Sequence, residues 1–271
     1  MEHALELSEN QAPPAASYLN RLNPPQREAV TTTEGAVLVL SGAGTGKTSV
    51  LTARIAHLLN QRLAWPSEIL AVTFTNKAAR EMAARASALQ MSDVRSQMSG
   101  GNKEGGQQTI LPWLGTFHSI SAKILRRHAE MIGFSSDYII LDTDDQIRLI
   151  KTILQEKNID PKQNPPKQFL WNIQNWKDKG LTPEKVIHAD KMMTGGNQVF
   201  DIYQEYQRRL RDMNCMDFGD LLLHCLTLFN QHPNVLQQYA QRFKYIMVDE
   251  YQDTNIAQYL WLRLLALGHK N

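Results

Sequence analysis

The chain has 271 residues, with 29 Lys plus Arg against 27 Asp plus Glu, a net charge of +2 and only two cysteines. That length supports one large domain or two moderate ones, each with its own core, and so small a net charge excludes a strong global field, so any nucleic-acid surface has to be local. Cys215 and Cys225 are too few and wrongly spaced for a disulfide framework or a zinc site, and they read as core thiols in a reducing compartment. The chain lacks an apolar run of roughly 18 residues, and its N-terminus is acidic and polar rather than signal-like. The expectation is a soluble, cytoplasmic protein without a membrane partner.

Residues 1–17, with Pro13-Pro14 and several Ala and Ser, read as a disordered leader. A short helix follows over Leu22 to Val30, with Asn23 as its cap and proline in its first turn. Within it, the Gln26 amide offers the donor and acceptor that the N6/N7 edge of adenine requires, or is simply a surface group.

The apolar run Ala36 to Leu40 predicts a buried parallel strand, and the helical period over Val50, Leu51, Ile55, Leu58 and Leu59 predicts a helix after it. Between them lies Ser41-Gly42-Ala43-Gly44-Thr45-Gly46-Lys47-Thr48. Glycines in such a turn let successive backbone N–H groups face a polyphosphate, at which the next helix aims its positive end. Lys47 would reach the β/γ-phosphates and the Thr48 hydroxyl would be a ligand of Mg2+. The pattern G-x-x-x-x-G-K-[ST] has glycine where this chain has Ser41, a one-residue departure.

Ile69 to Thr73 reads as a second buried strand, running into Phe74-Thr75-Asn76 and a helix from Ala78 to Ala88. In an open parallel sheet ligands gather at carboxyl strand ends, so Thr73, Phe74, Thr75 and Asn76 fall on the same edge as Lys47. Phe74 could stack on a base or sit in the core. From Met91 to Thr109 the glycine-rich, aperiodic sequence predicts a flexible loop. A third strand, Leu111 to Gly115, meets Thr116-Phe117-His118 and a basic amphipathic helix with Lys123, Arg126 and Arg127. His118 could contact phosphate at that helix start or act as a local packing group.

Helices dominate Tyr138 to Asn214. One opens at Thr143-Asp-Asp-Gln146, read as a capping box; another at Asn164-Pro-Pro-Lys; a third carries Val199, Ile202, Tyr203 and Tyr206. Trp171, Trp176, Lys177 and Lys179 are either core and surface groups or contacts to nucleic acid. Sheet logic returns at Tyr245-Ile246-Met247-Val248, which ends in Asp249-Glu250. The aspartate could hold Mg2+ and the glutamate could polarise an attacking water, or the pair could cap the next helix. Lys47 and Asp249 are about two hundred residues apart, against about 30 or a little more for each strand–helix–strand step. The surplus predicts a helical domain inserted into one nucleotide-binding sheet.

These motifs, in this order, resemble the N-terminal part of UvrD/Rep/PcrA-type superfamily 1 DNA helicases. Leu22 to Gln26 resembles the adenine-reading Q motif, Gly42 to Thr48 the Walker A motif, and Thr73-Phe-Thr-Asn-Lys-Ala78 and Thr116-Phe-His-Ser119 motifs Ia and Ib. Asp249-Glu-Tyr-Gln-Asp-Thr-Asn255 resembles the DExxQ form of Walker B, which adds Gln252 to the nucleotide set. Leu141 to Gln146 and Met216-Asp-Phe-Gly-Asp220 resemble recurrent family segments. The resemblance implies an α/β, RecA-like P-loop NTPase sheet (18–116 and 217–271) with an inserted all-helical domain 1B (117–216). It also implies ATP and Mg2+ as cofactors, 3′-to-5′ translocation on single-stranded DNA and at duplex junctions, and Thr73 to Asn76 with Thr116, Phe117 and His118 on the DNA. Repair or replication proteins are possible partners, and a monomer is expected. The family commonly has arginine after Gly-Lys-Thr where this chain has Ser49, which bears on one face of the adenine. The chain ends at Asn271, before the family's motifs III to VI. A fragment with weak nucleotide binding and poor hydrolysis is therefore expected. The alternatives are the helicase part of an AddA-like helicase-nuclease and a non-catalytic DNA-binding scaffold.

Overall fold

The computed structural model describes residues 18–42, 44–97, 111–186 and 196–269. The predicted leader and Ala43 lie outside them. Helix α1 (Pro24–Thr31) starts as the sequence indicates: the Asn23 side chain accepts from the Gln26 amide N–H, the Gln26 side chain accepts from the Asn23 N–H, and proline occupies the first turn. Helix α2 (Lys47–Asn60) follows the glycine-rich turn.

Strands β1 (Ile69–Thr73), β2 (Leu114–Thr116) and β5 (Tyr245–Val248) form a parallel sheet in the order β2-β1-β5. Thr73 lies opposite Thr116 and Val72 opposite Val248, so the three carboxyl ends are level. Parallel strands need crossovers, here long helical ones: α3 (Asn76–Gln97) leads to β2, and everything from α4 (Phe117–His128) onward leads to β5. β1 is buried along its whole length, as a strand covered on both faces should be.

The strand expected at 36–40 does not form. Val37, Leu38, Val39 and Leu40 are 40, 70, 42 and 85% exposed, and the segment joins no ladder. Apolarity creates a demand for burial but supplies no hydrogen-bonding neighbour, and β5 is the edge of the three-stranded sheet. Two further corrections concern α3 and β2. Helix α3 runs to Gln97, well past Ala88 and into the stretch read as loop from Met91, and β2 begins three residues later than Leu111.

Next come β3 (Ile139–Ile140), α5 (Thr143–Glu156), α6 (Pro166–Asp178), α7 (Gly196–Asp212), β4 (Cys215–Met216), α8 (Phe218–Gln231), α9 (Pro233–Arg242) and α10 (Ile256–Leu265). The cap of α5 is Asp142, whose side chain accepts from the Asp145 N–H, so the expected capping box at Thr143 is displaced by one residue. The pair β3–β4 is parallel and stitches the two ends of the helical segment together, a short ladder with no counterpart in the sequence reading.

Two large apolar clusters organise these elements. The first joins Leu70 and Val72 of β1 to Phe117, Ile120 and Ile124 of α4, Leu222 and Phe229 of α8, and Trp261 of α10. The second joins Ile150 and Ile153 of α5, Ile173 and Trp176 of α6, and Ile202, Tyr203 and Tyr206 of α7. Each fully buried aliphatic or aromatic side chain of this kind contributes about 1.5–3 kcal/mol relative to exposure. Helix α4 packs in the first cluster, on the sheet, so its side chains do not belong with the helical segment expected to begin at Phe117. Trp176 is fully buried and stacks on Tyr203 at 5.6 Å, which places it in the core rather than on a nucleic-acid surface. Lys177 is likewise buried, whereas Trp171 is 65% exposed.

Candidate nucleotide and DNA site

Helix α2 is held by apolar contacts on two sides: Val50 and Ala53 pack with Tyr18 and Val30, and Ile55, Leu58 and Leu59 pack with Ile69, Ala71, Tyr245 and Met247. Its amino end is thereby fixed near the carboxyl ends of β1 and β5. Gly46 caps it in the left-handed region, φ 91°, and among the described residues no side-chain cap hydrogen bond is made there. That arrangement leaves backbone donors and the positive helix end for an anion. Upstream, the Thr45 hydroxyl donates to the Gly42 carbonyl at 2.8 Å, and Lys47 Nζ lies 3.4 Å from the Ser41 carbonyl.

Gln26 reaches this loop from α1. Its Nε2 donates to the Thr45 carbonyl at 3.0 Å while its Oε1 accepts from the Asn23 N–H in the α1 cap, so the amide ties the loop to the start of α1. A Cβ at Gly46 would come within 3.3 Å of that Nε2, a second reason for glycine there.

The carboxylates arrive from β5. Asp249 continues the ladder, its N–H donating to the Val72 carbonyl at 3.0 Å, which fixes its backbone at the strand end. Its side chain accepts from the Glu250 N–H at 3.2 Å, and the nearby Thr48 hydroxyl favours its ionised form. Glu250 turns into the left-handed region, φ 50°, and its carboxylate accepts from Gln252 Nε2 at 2.6 Å and faces Lys47 Nζ at 3.6 Å. Burial, reinforced by the neighbouring Glu250 charge, pushes the Asp249 carboxyl above the ordinary aspartate range. The Gln252 amide, then Lys47, holds Glu250 below the usual glutamate range. The residues fit a magnesium nucleotide: a hydroxyl and a carboxylate close together, Thr48 and Asp249, beside an ammonium and the amino end of a helix. Among the described residues no cluster of three or more His, Cys, Asp and Glu side chains is present, so this set is not a preformed all-protein metal cage.

The same edge carries the aromatic candidates. Phe74 is 36% exposed and meets Phe117 edge-on at 5.7 Å. Phe117 itself is buried against Trp261, which makes it the support of Phe74 and not a surface contact, a correction to its expected place on the DNA. Thr73 and Thr116 are also buried: the Thr73 hydroxyl donates to the Thr75 carbonyl, and Thr116 caps α4 through the Ser119 N–H. Thr75 caps the next helix, accepting from the Ala78 N–H at 3.1 Å, and Asn76 opens it. His118 is half-buried, with its imidazole pKa lowered by burial, and its ring lies 6.1 Å from that of Phe218.

Residues 22–271 match the model of the UvrD/REP helicase N-terminal domain. The chain belongs to this family. It is 44% identical over 256 residues to a probable DNA helicase II homolog of Rickettsia felis, and 45% identical over 258 residues to DNA helicase II of Rickettsia typhi. It is also 44% identical over 257 residues to the ATP-dependent DNA helicase PcrA of Staphylococcus aureus. Each alignment covers 94% of this chain but only 36, 37 and 33% of the relative, so the chain spans about a third of the length of those helicases. As a UvrD/REP-type N-terminal domain it shows the mixed α/β build with a parallel sheet. Among the described residues no helix is long and apolar enough to cross a membrane.

One surface aromatic was not singled out from the sequence. Phe218, 51% exposed, opens α8 directly after the Asp217 cap and extends the Phe74–His118 edge. The signal was available: a large apolar residue at the first position of a helix has no core to face unless another element covers it.

Proposed function

We propose that this chain is the ATP-binding and DNA-contacting portion of an ATP-dependent 3′-to-5′ DNA helicase or translocase that works in DNA repair or replication. One observation carries the reading: Lys47, Thr48, Asp249 and Glu250 converge at the sheet edge from which the turn bearing Phe74 and the helix start bearing His118 leave. The family and the printed names of its relatives support ATP and DNA as ligands, and the 3′-to-5′ direction comes with the family resemblance.

In this reading the free N–H groups of α2 and Lys47 hold the phosphates, and Thr48 and Asp249 hold Mg2+. The ion, when bound, neutralises charge that develops as the terminal phosphoryl group transfers. Glu250, kept ionised by Gln252, accepts the proton of the attacking water. Gln26 braces the loop on the side where the Q motif would meet adenine. Phe74 and Phe218 offer faces to bases of single-stranded DNA, with His118 between them, and a monomer acting at duplex junctions suffices for this geometry. A non-catalytic scaffold would have no use for the complete acid, base and lysine set.

The test uses the full-length protein. Lys47→Ala should lower ATP turnover by about 10²–10³-fold, the usual cost of one charge-stabilising contact, while single-strand DNA binding is largely kept. Wild-type turnover would reduce the loop to a structural turn. Phe74→Ala should weaken single-strand binding by about ten- to a hundredfold, since a base stack contributes about 1–3 kcal/mol. Lost melting temperature with unchanged affinity of the folded protein would instead make Phe74 a core residue.

A further inference from the structure

Away from the catalytic edge, basic side chains from two helices converge on one ring. Trp113 immediately precedes β2 and is itself 2% exposed, wedged edge-on against Tyr239 at 5.6 Å and Phe243 at 5.2 Å. Lys123 Nζ and the Arg127 guanidinium of α4 lie 4.7 and 5.2 Å from its centroid, and the Arg242 guanidinium of α9 lies at 5.9 Å. Arg126 and His128 flank them: Arg126 sits 3.8 Å over the Tyr138 ring, and His128 Nε2 is 3.2 Å from the Tyr239 hydroxyl. Helix α4 starts at the carboxyl end of β2 and returns for about 18 Å at 1.5 Å per residue. This cluster therefore lies toward the opposite, amino-terminal end of the sheet.

We propose that the Lys123–Arg127–Arg242 cluster around Trp113 is a second nucleic-acid contact, a site for the phosphodiester backbone remote from the nucleotide edge. Among the described residues no carboxylate is within ion-pair distance of Lys123, Arg126, Arg127 or Arg242. Some exposed cations elsewhere are matched, as in Arg148–Asp145, Arg208–Glu205 and Lys244–Glu68, but here four neighbouring ones share no acid. Helix dipoles favour cations at the ends of α4 and α9. They explain neither Lys123, more than a turn from the end of α4, nor the missing counter-charges.

The cations are also held in place. Lys123 donates to the Pro112 carbonyl at 2.5 Å, Arg126 to the Ser136 carbonyl at 2.7 Å, and the rings beneath them fix their stems. An arriving anion meets donors whose conformational entropy is already spent. Burial and then the Arg127 charge lower the Lys123 pKa, a repulsion that a bound anion relieves. A nucleic-acid strand presents a phosphate about every 3.4 Å of duplex axis, so one strand meets all three cations together, and guanidinium forks suit phosphate oxygens. The inference rests on the reading of the chain as DNA-binding.

The full-length protein is titrated with a fluorescent duplex carrying a single-stranded 3′ tail, by anisotropy, across about 50–200 mM salt. In Lys123→Gln/Arg242→Gln, glutamine keeps part of each stem over the indole and leaves the Arg127 contact with the Trp113 ring in place. The slope of log affinity against log salt should become shallower by about 0.7–0.9 for each cation removed, with weaker binding at every salt. Phe74→Ala should lower affinity without changing the slope. A folded double variant with the wild-type slope, beside a weakened Phe74→Ala, overturns this inference and leaves the proposed function standing. Salt-independent, negligible DNA binding by the wild type defeats both. An unchanged DNA slope together with lost binding of a polyglutamate peptide would make the cluster a protein site and also overturn it. Should the double variant melt early, Arg242→Gln alone reads the same slope with one cation removed, and Lys123→Arg/Arg242→Lys, which keeps both charges, should retain the wild-type slope.

Discussion

At the scale of single residues, the two adjacent carboxylates are made different by their surroundings. Asp249 is buried and raised in pKa, whereas Glu250 is partly exposed, lowered in pKa and bonded to Gln252. Different environments for neighbouring acids separate their roles. Glu250→Gln should keep magnesium nucleotide bound and stop hydrolysis, because only the base is lost. Asp249→Asn should weaken the metal instead. A nucleotide titration with and without Mg2+ checks this; equal loss of affinity in both variants would refute the assignment. Since Mg2+ requires an ionised Asp249 and that carboxyl is raised, metal affinity should also begin to fall with acid at a higher pH than for an unburied aspartate. A titration of Mg2+ affinity against pH reads this.

At the scale of elements, helix ends and helix faces carry the detail. On α7, Glu205 accepts from Arg208 at 2.7 Å and Arg209 at 2.8 Å, and Arg209 also pairs with Glu156 of α5. The two arginine hydrogen bonds hold the Glu205 carboxyl down to about 2. Its folded pKa lies below the unfolded one, so this contribution is complete above the unfolded value, near 4.3, and disappears as pH falls toward 2. Glu205→Gln should therefore lower the melting temperature slightly at pH 7 and flatten the decline between about pH 5 and 2, the effect staying small because the pair is solvent-screened. Thermal melts across that range measure it; an unaltered acid limb would remove the pair from the stability balance. Capping was legible only where chemistry left one choice. Asn23 and Gln26 satisfy each other as the sequence suggests, whereas Asp142 and Thr143 are both competent caps and the packing of α5 selects the former. Gly219 was not legible at all: a Cβ there would meet Gln174 Oε1 at 2.4 Å and Lys177 Cδ at 2.9 Å, because α8 starts hard against α6.

At the scale of the whole molecule, the two apolar clusters are joined by a buried ionic knot. Lys177 Nζ of α6 contacts Asp217 at 2.7 Å and Asp220 at 2.8 Å, both at the start of α8, and the Tyr206 hydroxyl and Gln207 amide of α7 donate to the same two carboxylates. All three charges are out of solvent. Burial, with the Asp220 charge, pushes Asp217 up; Asp220 stays low in spite of its burial because Lys177 and His224 hold it down. Lys177→Met should cost about 3–5 kcal/mol, since it leaves two carboxylates buried without their cation. Urea unfolding would show it as a reduced midpoint, and a midpoint within error of the wild type would mean that the knot contributes nothing net. Such a contact ties α6 and α7 to the start of α8, whose other side chains pack in the cluster that covers the sheet.

The sequence by itself determined what short-range chemistry can specify: the glycine turn with Lys47 and Thr48, the strands ending at Thr73 and just before Asp249, the α1 cap, and the helical period between Tyr138 and Asn214. These depend on neighbours within a turn or a strand length. Only the tertiary structure decided that Val37–Leu40 stays out of the ladder, that Phe117 supports Phe74 from inside the core, and that α4 packs with the sheet. It alone also decided that Lys177 is interior and that Lys123, Arg127 and Arg242 share one indole. Each of those depends on which distant segment arrives opposite, and burial and pairing partners far along the chain leave no periodicity in the local sequence.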